Sequence, residues 1–213
     1  MNELAPVTLD EVPSGRSSKL PPSIVRIMEG ALKAIGARGT RRLSMSDICG
    51  ASGISRGTLY RYFSTKEDVL AAVSEFVSCN FENGVRAAAE TTDEPLERFR
   101  AVMQFFASYT NDHTPDRIFE IEPSFYIAFF RSHFERHNIA VRTALDLTFD
   151  HLDSLTDRPI DRDGLVEALV RMQLSTMIIP ATPLWSSVWQ QVPEQLEHWV
   201  ITLAGRTLAL REG

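Results

Sequence analysis

The sequence predicts an all-α protein of about nine helices, a helix-turn-helix unit in front of a larger helical body. Apolar residues recur at spacings of three and four in one segment after another, no segment alternates as a half-buried strand does, and capping residues or prolines precede most of the periodic stretches. The 213-residue chain is 44% hydrophobic and 23% charged, a globular profile that excludes collagen-like repetition and wholesale disorder. No apolar run approaches the roughly 18 residues of a spanning helix, and Met1 to Leu20 lacks a signal peptide's apolar core. No membrane partner is expected, and the expected location is cytoplasmic. Two cysteines, Cys49 and Cys79, are too few for a disulfide framework or a four-cysteine zinc site.

Residues 1–22 are polar and carry Pro6, Pro13, Pro21 and Pro22, the composition of a flexible arm. Ser23 is placed to cap a first helix whose apolar positions are Ile24, Ile27, Met28, Ala31, Leu32 and Ile35, with Gly36 and Gly39 as stop signals. Two short helices follow, near 46–52 and 56–63, joined through Gly53, whose freedom at positive φ permits a tight turn. Ser64-Thr65-Lys66-Glu67 matches a capping box, with Ser64 as cap and Glu67 reaching back, at the head of a long helix towards Ala89. Prolines at 95, 115 and 123 open helices near 95–111 and 115–121 and one long or kinked helix over 123–156. The last two run over 163–179 and 193–210, across a Pro/Ser/Trp-rich link. The implied division is an arm at 1–22, a first helical domain at 23–70 and a larger helical domain at 71–213.

Net charge is −6, which by itself argues against a nucleic-acid partner. Its distribution argues the other way. From Arg16 to Lys66 ten basic residues face two acidic ones, a net +8 that leaves −14 for the rest of the chain. Such asymmetry marks either a basic module that meets a polyanion or merely a solvated face. Residues 43–70 favour the first. A helix that enters a DNA groove keeps one side apolar for its own domain and leaves the other polar. Leu59 and Phe63, four apart, form the docking side with Ile48 and Ile54. Ser55 caps the helix, Arg56, Thr58, Tyr60 and Arg61 occupy the other side, and Gly57 allows close approach of the backbone. Tyr60, Tyr62 and Lys66 suit phosphate contacts, the last beside the positive end of the long helix.

Ile48-Cys49, Ser52-Gly53-Ile54-Ser55, Leu59-Tyr60-Arg61-Tyr62-Phe63 and Lys66-Glu67-Asp68-Val69-Leu70, preceded by Ser44 and Ser46, resemble the signature of the TetR family of bacterial transcriptional regulators. Cys49 and Ser52 stand where alanine is commoner in that signature, and both are small enough to leave the packing intact. The resemblance implies that Ser44 and Ser46 join the DNA-binding set. It also implies a homodimer, joined through the last two helices, with a double-stranded DNA operator and a small effector as partners. Consistent with this, Leu165, Leu169, Met172 and Ile179 form one apolar face while Val166, Val170, Leu174, Met177 and Ile178 cover much of the rest, so that helix is to be covered on two sides. Trp199, Val200, Leu203 and Leu210 of the final helix, with Ala204-Gly205 allowing close approach, are the natural cover.

Phe119, Phe125, Tyr126, Phe129, Phe130 and Phe134 crowd into sixteen residues. An aromatic-lined cavity and an ordinary core both read this way, but a ligand-holding body makes Phe105, Tyr109, Phe125, Phe129 and Met172 the expected ligand contacts and an apolar effector the better fit. His133 and His137 share a helix face at a metal-chelating spacing, yet no third ligand is fixed and Arg136 beside them points to exposed or interfacial histidines, so neither metal nor cofactor is expected. His151 with Asp150 and Asp153 reads as a solvated face. Phosphate loops, a nucleophile elbow, paired metal-binding histidines around a glutamate and a dinucleotide fingerprint are absent from the sequence, so no enzyme is expected. The expected function is a ligand-responsive repressor. Its rival is a helical small-molecule-binding or sequestering protein, or a bundle-type enzyme, without specific DNA binding.

Overall fold

The computed structural model describes residues 20–113, 123–156 and 158–179, with 195 and 198 as isolated helical positions. These residues form eight helices and no strand: α1 (Pro22–Arg38), α2 (Met45–Ser52), α3 (Arg56–Tyr62), α4 (Lys66–Ala89), α5 (Pro95–His113), α6 (Pro123–Ala144), α7 (Asp146–Ser154) and α8 (Arg162–Ile178). The all-helical expectation holds. Most of the arm, the helix expected at 115–121, the link at 180–192 and the final helix with Trp199, Val200, Leu203, Ala204, Gly205 and Leu210 lie outside the described residues, as does Phe119. No helix among the described residues is long and apolar enough to cross a membrane.

The chain forms two compact units, one of Met1–Asn80 with Pro115–Ser132 and the other of Phe81–Thr114 with His133–Gly213. In the first, α1 turns Ile27, Met28, Ala31, Ala34 and Ile35 inward, a three-and-four spacing that meets Leu43, Ile48, Leu59, Val69 and Val73 in one cluster. Tyr126 of α6 packs against the same cluster. The cap of α1 differs from expectation. Pro21 is the N-cap and Pro22 takes the first helical position, where a missing amide costs nothing, and Ser23 Oγ is bonded elsewhere. Gly39, at φ 73°, ends the helix with its amide on the Ile35 carbonyl at 2.8 Å.

The capping box of α4 is shifted by one residue from the predicted one. Thr65, not Ser64, receives the Asp68 amide on its hydroxyl at 3.1 Å, and Asp68, not Glu67, returns Oδ2 to the Thr65 amide at 2.8 Å. Those bonds hold the Asp68 carboxyl below the usual carboxylate range.

In the second unit, Phe81 and Val85 of α4 join Phe99, Val102, Met103 and Phe106 of α5, with Val141, Leu145, Phe149, Leu152, Val166, Leu169 and Val170 from the later helices. Each fully buried ring removes enough apolar surface to be worth about 2 to 3 kcal/mol. The helix predicted over 123–156 breaks at Leu145 into α6 and α7. The break leaves the Ala144 carbonyl to Arg98 Nε at 2.8 Å, while Thr148 Oγ1 donates to the Pro95 carbonyl at 2.7 Å. Asp150, expected on a solvated face, is exposed, and it and the half-buried Asp153 both bind Arg162. The Ile160 amide first, and then Arg162, hold the Asp153 carboxyl low.

α8 also departs from its predicted faces. Its buried side is Val166, Leu169, Val170, Gln173 and Thr176, whereas Leu165 and Met172 are half-buried and Ile178 and Ile179 are exposed. The reason is polar. Gln173 Nε2 donates to the Phe106 carbonyl at 2.9 Å, and Thr176 Oγ1 to the Gln173 carbonyl at 2.7 Å, so two polar residues occupy the inner face at low cost.

Candidate nucleic-acid interface

The site is built from two short helices and the turn between them. Ser44 caps α2: its Oγ accepts the Asp47 amide at 3.2 Å, and Asp47 Oδ2 accepts both the Ser44 amide at 3.0 Å and the Ser44 hydroxyl at 2.6 Å. Chiefly through that hydroxyl bond, with Arg38 at 2.8 Å adding its charge, the Asp47 carboxyl lies below the usual range. Gly53 ends α2 at φ 64°, the left-handed conformation that its position in the sequence predicted. Ser52, before it, is buried, and its hydroxyl returns to the Ile48 carbonyl at 2.6 Å, so the serine fits where an alanine would.

Ser55 caps α3, with its Oγ accepting the Thr58 amide at 3.1 Å and sharing a hydrogen bond with Thr58 Oγ1 at 2.9 Å. Leu59 is fully buried, and Ile54 and Phe63 pack on the same cluster, as the docking side requires. Arg56, Gly57, Tyr60 and Arg61 are exposed and Thr58 is half-buried. A side chain grown on Gly57 would meet nothing within 4 Å, so this face is open to an approaching backbone. Arg56 Nη2 donates to Ser46 Oγ at 3.1 Å and joins the exposed sides of α2 and α3.

Tyr62 is turned inward relative to its neighbours. Its hydroxyl meets Ser23 Oγ of α1 at 3.1 Å and receives Arg61 Nη2 at 3.2 Å, and the Arg61 guanidinium lies 4.9 Å from the centre of its ring. Those two bonds, Ser23 first, lower the phenol from its ordinary value. Lys66 Nζ donates to the Thr40 carbonyl at 3.3 Å and stands 3.8 Å from Glu67 Oε1. All ten residues expected to meet DNA therefore lie in one unit, on or beside α2, α3 and the start of α4. Sequence reading missed Arg26, whose Nη2 reaches the carbonyls of Ser52 at 3.2 Å and Gly53 at 3.1 Å, and Gly30, where an added Cβ would lie 2.5 Å from Ser52 Cα.

The expected ligand contacts divide between the two units. Phe105, Tyr109 and Met172 belong to the second unit, and Phe125 and Phe129 to the first. Phe105 and Tyr109 have ring centres 5.3 Å apart and lie 5.9 and 5.4 Å from Phe81. Burial pushes the Tyr109 phenol up to about 12. A groove of about 360 Å³ in the second unit is lined instead by Glu82, Arg86, Arg98, Arg136, Ile139 and Thr143 with small neighbours, and none of the five expected residues touches it. His133 and His137, read as exposed or interfacial, are buried at 5% exposure each, with ring centres 6.2 Å apart. The His137 ring lies 4.5 Å from Phe81, and burial, then His133 and Arg136, push its imidazole down to about 4. Among the described residues no group of three or more His, Cys, Asp or Glu side chains could hold a metal ion.

Comparison with known proteins bears on the same region. Residues 27–73 match the family of bacterial regulatory proteins, tetR family. Over 161 residues the chain is 31% identical to the HTH-type transcriptional activator FasR of Mycolicibacterium smegmatis, a match covering 63% of this chain and 73% of that one. A TetR-family transcriptional regulator from Streptomyces coelicolor superposes with a TM-score of 0.62 at 18% identity, over 84% of this chain and 96% of the other. The transcriptional regulator FadR from Bacillus subtilis, solved with stearoyl-CoA, does so with a TM-score of 0.58 at 15% identity, over 81% and 96%.

Proposed function

Because the chain belongs to the tetR family of bacterial regulatory proteins, we propose that it reads a pseudo-palindromic operator with α3 and is released from it by a small apolar effector. The chain is a DNA-binding transcriptional regulator. The observation that carries the assignment of α3 as its reading helix is the division of that helix into a buried side at Leu59 and an open side at Arg56, Gly57, Tyr60 and Arg61. In this reading Arg56, Thr58 and Arg61 meet base edges, and Tyr60, Lys66 and the serines at 44, 46 and 55 line the phosphate side. Residues 23–70 serve as the DNA-binding domain and 71–213 bind the effector and dimerise. Two subunits, joined through the last two helices, set their reading helices one DNA turn or more apart, roughly 34 Å or greater.

The effector reading draws support from the aromatic crowding between Phe105 and Phe134 and from the B. subtilis FadR, which was solved with an acyl-CoA ester. Release requires that the effector bind the DNA-incompetent state more tightly than the competent one. α4, which contributes residues to both units, is the lever between them. A second reading has one observation in its favour: FasR is named an activator, and an effector that prefers the DNA-competent state would reverse the sign.

Selection of bound duplexes from a random pool, followed by release with stearoyl-CoA, tests the proposal. Lys66→Ala is expected to weaken binding to all sequences and lower the salt slope by about one ion per site, whereas Arg61→Ala costs ~1 to 3 kcal/mol and relaxes specificity. Undiminished, sequence-selective binding by a Tyr60/Arg61/Lys66 triple alanine variant refutes the assignment of α3.

A further inference from the structure

α1 carries two polar side chains that leave its own helix and end on the reading unit. Ser23 and Arg26 are three residues apart and so share one face of α1. Arg26 Nη2 donates to the carbonyls of Ser52 and Gly53, the last residue of α2 and its C-cap. Those carbonyls are the negative end of the α2 dipole, with no partner in their own helix, so a guanidinium there acts as a cap supplied from another helix. Gly53 fits this role twice over. Its φ of 64° makes the turn, and a Cβ on it would lie 3.0 Å from Arg26 Nη2.

One turn earlier on α1, Ser23 Oγ holds the hydroxyl of Tyr62, the last residue of α3. The two ties therefore bracket α3, one at the turn before its cap Ser55 and one at its C-terminal end. The second tie continues to the open face, because Arg61 donates to the same Tyr62 hydroxyl and stacks on its ring.

Resting on the reading of α3 as the DNA-reading helix, we infer that Ser23 and Arg26 are positioning residues that fix the pitch of α3 from both ends, and that the Tyr62 hydroxyl serves as an internal brace aiming Arg61 rather than as a phosphate contact. A misaimed α3 loses base-edge contacts while its charge still meets phosphates. The signature is thus a loss of discrimination rather than of all binding.

The test compares full-length variants on a duplex selected by the unaltered protein from a random pool and on a scrambled duplex of the same length, with thermal melts alongside. Arg26→Met, which keeps the stem and removes the donors, is expected to bind the selected duplex about tenfold more weakly and the scrambled duplex within about twofold. Arg26→Lys, which restores a donor, recovers most of that loss. Ser23→Ala costs about threefold on the selected duplex and Tyr62→Phe, which also removes the acceptor of Arg61, at least as much; the double variant costs no more than Tyr62→Phe alone, because the Ser23–Tyr62 bond is common to both.

Equal losses on both duplexes for Arg26→Met, or none on either, overturn the inference. Tyr62→Phe weakening the scrambled duplex while Ser23→Ala does not would make the hydroxyl a phosphate contact and overturn the brace. A pool from which the unaltered protein enriches nothing removes the DNA-reading function, and the inference with it.

Discussion

Each compact unit contains a helical glycine against which something is pressed, but what presses differs. A Cβ on Gly30 of α1 would stand 2.5 Å from the backbone Cα of Ser52, whereas one on Gly84 of α4 would stand 2.3 Å from the ring of Phe105. In the first unit the glycine lets two helix backbones meet. In the second it makes room for an aromatic side chain. A backbone cannot step aside without moving its whole helix, while a ring relieves the same crowding by turning about χ1 and χ2. At Gly30 the first unit thus admits one arrangement of two helices, whereas at Gly84 the second unit can relieve crowding by moving one side chain.

That comparison is easiest to break at Gly30. Gly30→Ala is expected to cost ~3 kcal/mol or more and abolish operator binding, because α1 and α2 must part. A melting temperature and affinity unchanged by the substitution would show that the contact yields. Next in size is acid. His137 is held neutral by burial, His133 and Arg136, with its pKa taken from 6.5 down to about 4. A lowered folded pKa means that the unfolded chain binds the proton first, so this contribution is intact above pH 6.5 and lost as pH falls towards 4, on the order of 3 kcal/mol in all. Melts of the unaltered protein should fall across that window, and His137→Gln should flatten the fall.

Gly84→Ala sharpens the contrast with Gly30→Ala. Crowding of Phe105 costs ~1 to 3 kcal/mol, partly offset by the ~1 kcal/mol that alanine gains over glycine inside a helix, and operator binding should survive. Equal damage from the two glycine substitutions would erase the distinction between the units. Ser52→Ala is the smallest change, within about 0.5 kcal/mol, since the hydroxyl it removes returns to carbonyls of its own helix, Ile48 at 2.6 Å and Cys49 at 3.4 Å. A loss above ~1.5 kcal/mol, read from denaturant melts, would give that hydroxyl a larger role than its one short bond implies.

The helix-turn-helix was legible because its signals act over a few residues: Gly53 at positive φ, Ser55 on the Thr58 amide, Leu59 and Phe63 on one face. The start of α4 was legible to within one residue and no better, since Ser64 with Glu67 and Thr65 with Asp68 present the same spacing of cap and acid. In the sequence Arg26 reads only as a charge and Ser23 as a cap, because their partners lie 26 to 39 residues away and no local pattern names them. The break at Leu145 has neither glycine nor proline to announce it, and Arg98 binds its freed carbonyl from 46 residues away. The inward turn of His133 and His137 was hidden by Arg136, which lies on another face and pairs with Glu82 at 2.8 Å.

The first unit is not a continuous piece of chain. Its N-terminal part ends at Asn80, inside α4, and it resumes with a segment that ends at Ser132, inside α6, where Tyr126 packs on the core of α1 to α3. During synthesis, at about 5 to 20 residues per second, the reading unit therefore waits roughly 3 to 10 s beyond Asn80 for its remaining segment to be made. The order in which the ribosome delivers the chain keeps the core beneath α3 incomplete until much of the body's first helices has been translated.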